Sequence, residues 1–106
     1  MSKTVELLYF EGCPTYKTTL KDLEEIVKQE ALDARIDLIR VESEEDAKKL
    51  AFLGSPTVRV DGADVDQTAR GSSDFGLRCR IYRVEGRILG TPSRELLRRA
   101  LKGEPA

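Results

Sequence analysis

Apolar and polar positions divide this chain into segments of two periods. Residues 4–10 (Thr-Val-Glu-Leu-Leu-Tyr-Phe) begin by alternating and end almost continuously apolar. That is the pattern of a central strand covered on both faces. Glu11-Gly12 interrupts it, and the period then changes. Tyr16, Leu20, Leu23 and Val27 recur at helical spacing with Ile26 beside them, while Lys17, Lys21, Asp22, Glu24, Glu25 and Lys28 make a wet face. Pro14 suits the first helical position, where its missing N–H is no loss. The spacing predicts a helix from Pro14 to near Glu30. Residues 34–41 read as a second strand, with Ile36 and Leu38 alternating with Arg35 and Asp37, as near a sheet edge. The helix between the two strands makes them parallel, with a right-handed crossover.

Ser43 opens a second helix, with Asp46 three residues on, in the manner of a capping box. Ala47, Leu50 and Ala51 form its narrow apolar stripe, Phe52 and Leu53 close it, and Gly54 stops it. A short alternating strand over 57–60 meets the hairpin signal Asp61-Gly62, and 63–66 is the returning strand. Residues 67–76 read as a loop, long for a compact domain, and long ordered loops tend to be functional. Residues 77–84 are extended, with Cys79 and Ile81 on one face, and Glu85-Gly86 turns the chain. Thr91-Pro92 starts a final helix that buries Leu96, Leu97, Ala100 and Leu101. Its Arg94, Arg98, Arg99 and Lys102 are a solvated face near the negative dipole end. The order β-α-β-α-β-β-α predicts one α/β domain over 1–106, a mixed four-stranded sheet with helices on both faces.

Composition narrows the function classes. The 18 basic and 19 acidic side chains leave no basic excess of the kind that binds nucleic acid. No apolar run approaches the roughly 18 residues of a membrane span. The N-terminus opens directly into a strand pattern without a signal peptide, which predicts a cytoplasmic protein. There is no histidine, so Cys–His nucleophile pairs, Ser–His–Asp hydrolysis and histidine-ligated metals are excluded together. Nothing calls for a cofactor or a resident metal. Two cysteines, Cys13 and Cys79, remain. In a cytosolic chain such residues are redox-active, catalytic or metal-binding, or else small buried hydrophobes.

Three stretches carry a resemblance to the thioredoxin-like fold: Gly12-Cys13-Pro14-Thr15-Tyr16 at the first helix, Gly54-Ser55-Pro56-Thr57-Val58 before the third strand, and the hairpin of 58–65 with a closing helix. Together with Asp74-Phe75-Gly76-Leu77-Arg78-Cys79-Arg80-Ile81-Tyr82, they are similar to a group of small bacterial thioredoxin-like proteins, some of which are labelled alkylmercury lyases. The resemblance implies a cis Pro56 that sets the backbone of Ser55 beside the thiol, ready to pair with a substrate main chain. The chain departs from the family's Cys-x-x-Cys pattern, because Tyr16 stands where the second cysteine would be. The dithiol chemistry of that motif is therefore closed to it.

The physical case for Cys13 is a thiol at a helix N-terminus, whose unpaired N–H donors and partial positive charge favour thiolate. Tyr16 is read as packing through its ring, with its hydroxyl open to donate to the Cys13 thiolate, and Pro14 and Tyr16 join Ser55 and Pro56 as expected substrate-binding residues. Cys79 has two placements: close to Cys13, as a resolving cysteine or second thiolate, or within a strand facing the core. Three functions follow. The first is a thiol–disulfide oxidoreductase using Cys13 and Cys79, with Ser55 and Pro56 orienting the substrate. The second is a soft-metal or mercury-processing protein using both thiolates, with Asp66 or Asp74 as proton donor. The third is a non-enzymatic binding module. The expected partner is a protein or a low-molecular-weight thiol or disulfide, and the expected state a monomer or weak dimer.

Overall fold

A computed structural model describes residues 3–103, so residues 1–2 and 104–106 of the predicted domain lie outside the described residues. The elements are β1 (Lys3–Tyr9), α1 (Tyr16–Gln29), β2 (Ala34–Arg40), α2 (Glu44–Lys49), β3 (Thr57–Val60), β4 (Ala63–Asp64), β5 (Tyr82–Val84), β6 (Arg87–Leu89) and α3 (Arg94–Leu101). β1 to β4 form a four-stranded mixed sheet in the order β2-β1-β3-β4. β1 runs parallel to β2, with Leu7 beside Leu38, and antiparallel to β3, with Leu7 beside Val58. β5 and β6 form a separate hairpin.

The doubly apolar end of β1 explains the layering. Val5 and Leu7 bury against Leu23 and Ile26 of α1 and Leu97 and Leu101 of α3 on one face. Leu8 buries on the other against Val41, Ala47 and Phe52. Successive strand residues point to opposite faces, so adjacent leucines in β1 serve two cores. Each fully buried leucine is worth about 1.5–3 kcal/mol relative to exposure. β2 is an edge strand and leaves Leu38 49% exposed.

Several boundaries differ from expectation. α1 starts at Tyr16 rather than Pro14, because Pro14 lies in a turn whose carbonyl accepts from the Lys17 N–H at 3.1 Å. α2 ends at Lys49, not Leu53. There Ala51 turns left-handed (φ 54°), the Phe52 N–H bonds the Ala47 carbonyl at 2.8 Å, and Phe52 is carried into the core. β4 spans only two residues, since the Asp64 carboxylate bends the chain by accepting from the Asp66 N–H at 2.9 Å. The loop after it holds a 3₁₀ turn, Gln67–Ala69. α3 starts at Arg94, with Ser93 rather than Thr91 capping the Leu96 N–H at 3.1 Å. The strand β6 was not anticipated. It pairs back on β5 across Glu85-Gly86, both at positive φ (50° and 78°), as a two-residue hairpin turn of twisted strands requires. No helix among the described residues is long and apolar enough to cross a membrane.

Candidate functional site

Cys13 follows a turn in which its own N–H bonds the Phe10 carbonyl at 3.0 Å. A side chain at Gly12 would run into the Phe10 ring, so glycine permits this tight exit from β1. Thr15 occupies the N-cap position of α1 without a side-chain capping bond, and its hydroxyl lies 3.4 Å from Cys13 Sγ instead. The Ser55 carbonyl oxygen lies 3.7 Å from the same sulfur. Cys13 is 3% exposed. Pro14 is exposed beside it, and Tyr16 turns away to stack on Tyr9, with ring centroids 4.2 Å apart. The ring of Tyr16 thus packs on the end of β1 rather than joining the buried stripe of α1, where Thr19 takes a core place with Leu23 and Ile26.

Cys79 forms a disulfide with Cys13, with Cα atoms 5.7 Å apart. Of the two placements open to it, the one beside Cys13 is realised. The bond is anchored by backbone pairing. The Ser55 N–H donates to the Arg78 carbonyl at 2.8 Å, and the Arg80 N–H donates to the Ser55 carbonyl at 2.9 Å. Cys79 therefore runs parallel to Ser55 as an isolated bridge. Both main-chain groups of Ser55 are engaged by this internal segment. The Ser55–Pro56 bond is cis, and Ser55 is buried with its Oγ unpartnered.

No protein-family model, curated protein or solved structure matches this chain.

The segment carrying Cys79 is held by side chains that the sequence pattern did not single out. Arg80 is buried and grips both oxygens of Asp64, at 2.8 and 3.0 Å, and Thr57 Oγ1 at 3.3 Å. Its guanidinium sits 4.4 Å from the ring centroid of Tyr82, within cation–π range. Burial alone would lower the Arg80 pKa, but hydrogen bonding to Asp64 leaves it above its ordinary value. Tyr82 donates to the Pro56 carbonyl at 2.6 Å. Burial holds its phenol well above the usual range, so it stays a donor. Gly54, at φ 123°, lets the segment lie directly on the backbone, since a Cβ there would come within 2.9 Å of Arg80 Cβ. In sequence, Arg80 and Asp64 are ordinary charges in alternating stretches, and their pairing follows only from tertiary placement.

The 67–76 loop is tied back at both ends. Arg70 donates to the Asp64 carbonyl at 2.8 and 3.0 Å, and the Gly76 N–H donates to the Phe52 carbonyl at 3.0 Å. Asp66 is engaged with Thr68 at 2.6 Å and Asp74 with Arg78 at 3.0 Å. Among the described residues, no group of three or more His, Cys, Asp or Glu could hold a metal ion.

Chemically, the site is a dithiol/disulfide pair drawn from two distant points in the chain. In the disulfide the Thr15 hydroxyl can donate to Cys13 Sγ. In the thiol form, Cys13 can instead donate to the Ser55 carbonyl.

Proposed function

We propose that this protein is a thiol–disulfide oxidoreductase of thioredoxin-like architecture, cycling between the Cys13–Cys79 disulfide and the dithiol. The single observation that carries the reading is the disulfide between Cys13, just ahead of α1, and Cys79, on a segment clamped to Ser55. The strand order, with α1 and α3 on one face and α2 on the other, supports the thioredoxin-like part. A disulfide in a cytoplasmic protein is more often transient and catalytic than a staple, and we place the protein in that compartment. The partner is a low-molecular-weight or protein thiol or disulfide.

The test is equilibration of the protein in glutathione buffers of varied redox ratio, with acid quenching and counting of free thiols by mass, followed by a turnover assay on a small mixed disulfide. The expected result is a reversible two-thiol transition and turnover that Cys13→Ser/Cys79→Ser abolishes. A disulfide that never exchanges, with no turnover, would overturn the reading.

A second reading draws on the same pair. Reduced, the two cysteines bring two thiolates within bridging distance, which suits a soft two-coordinate ion such as mercury. Titration of the reduced protein against Cys13→Ser/Cys79→Ser separates this from redox work.

A further inference from the structure

We infer that an incoming thiol attacks the sulfur of Cys79, and that Cys13 is the internal leaving group and resolving thiolate. The inference rests on the redox reading above and fixes the roles within it.

Access decides which sulfur is attacked, because exchange requires a thiolate to approach one disulfide sulfur in line with the bond. Cys13 is 3% exposed, enclosed by Thr15 and Ser55. Gly90, after β6, passes beside Thr15, since a Cβ there would lie 3.7 Å from the Thr15 methyl. Cys79 lies on the exposed surface. Only one member of the pair is open to solvent.

The leaving group agrees with this direction. When a thiolate RS⁻ bonds to Cys79 Sγ, the Cys13–Cys79 bond breaks and its electron pair stays on Cys13 Sγ. That sulfur lies in the turn just ahead of α1, where the Thr15 hydroxyl, 3.4 Å away, can donate to the thiolate. A stabilised thiolate leaves faster. A second RS⁻ then bonds to the R sulfur, which releases RSSR and leaves Cys79 as thiolate. The protein gains two electrons and the two thiols lose them. In reverse, the Cys79 thiolate attacks RSSR and expels RS⁻. Cys13 then attacks Cys79 Sγ, expels the second RS⁻ and restores the disulfide.

Docking makes the resolving step intramolecular. With the disulfide open, the Ser55 bridges and the Arg80–Asp64 pair still hold residue 79 beside Cys13. Cys13 therefore meets the mixed disulfide without a search.

The experiment treats the oxidised protein with reduced glutathione, quenches with acid at short times, and maps the adduct by peptide mass. The expected result is glutathione on Cys79, in at least about tenfold excess over Cys13, following sulfur access. A second measurement uses oxidised glutathione on the reduced single variants. Cys79 in Cys13→Ser should be modified at least about tenfold faster than Cys13 in Cys79→Ser. Adduct mainly on Cys13, or equal rates in the two variants, overturns the assignment and leaves the redox reading standing. No adduct on either cysteine, with the disulfide intact throughout, overturns both.

Discussion

Tyr82 holds the Pro56 carbonyl from a fully buried position. Its folded-state pKa lies above the unfolded phenol value of about 10. The neutral form is the one the fold prefers, so this contribution is complete below pH ~10 and declines as pH rises above it. Tyr82→Phe should lose about 1 kcal/mol at neutral pH from the missing bond and should flatten the alkaline decline. Urea unfolding of both proteins, oxidised, at pH 7 and above pH 10 checks this, and parallel pH slopes would refute it. At this scale the sequence was informative about Cys13, whose setting between Gly12 and Pro14 announces a turn into a helix. It was silent on Arg80 and Asp64. A buried ion pair takes its meaning from dehydration and from its partner, and neither is visible in a stretch of charged and apolar residues.

Two helices end on alanine where glycine is usual. Ala31 (φ 50°) follows α1 and Ala51 (φ 54°) follows α2. In each case the next N–H bonds back, Leu32 to Val27 at 3.0 Å and Phe52 to Ala47 at 2.8 Å, which is the Schellman pattern. A left-handed non-glycine residue costs about 1–2 kcal/mol, offset in part by the chain entropy that glycine loses. Ala31→Gly and Ala51→Gly should each stabilise the protein by about 0.5–1 kcal/mol, read as a raised urea midpoint with unchanged slope. A lowered midpoint would show the alanines to be relaxed. These ends also show why helical spacing predicts a longer α2 than the fold forms. Ala47, Leu50 and Ala51 keep helical spacing, and nothing local signals that Phe52 must cross to the core under Leu8. The adjacent apolar residues of β1 marked it as a two-faced strand, and the structure places it centrally. β6 is not legible in the sequence because Arg87-Ile88-Leu89 is too short for a period, and Ile88 is 63% exposed.

For the molecule as a whole, the disulfide spans 66 residues. Closing a loop of that length removes unfolded-state entropy worth about 4 kcal/mol in the chain-entropy account. The oxidised protein should therefore unfold at a clearly higher urea concentration than the reduced one, and Cys13→Ser/Cys79→Ser should match the reduced form. Coincident oxidised and reduced curves would contradict this. The arrangement of helices on both faces of one sheet was legible because alternation and helical spacing are properties of neighbouring residues. The joining of Cys13 to Cys79 was only one of two placements, because it depends on where 78–80 is laid down beside Ser55. The covalent bond also makes the chain a lasso. The strands β2, β3 and β4 and the helices α1 and α2 lie within its loop, while β1 leads in and the hairpin and α3 lead out. Tension applied to the two ends would bypass the loop through a single S–S bond. About 230 Å of contour stays locked at ~3.5 Å per residue, released only by a thiol. Mechanical resistance in this protein is thus set by the redox state of its surroundings.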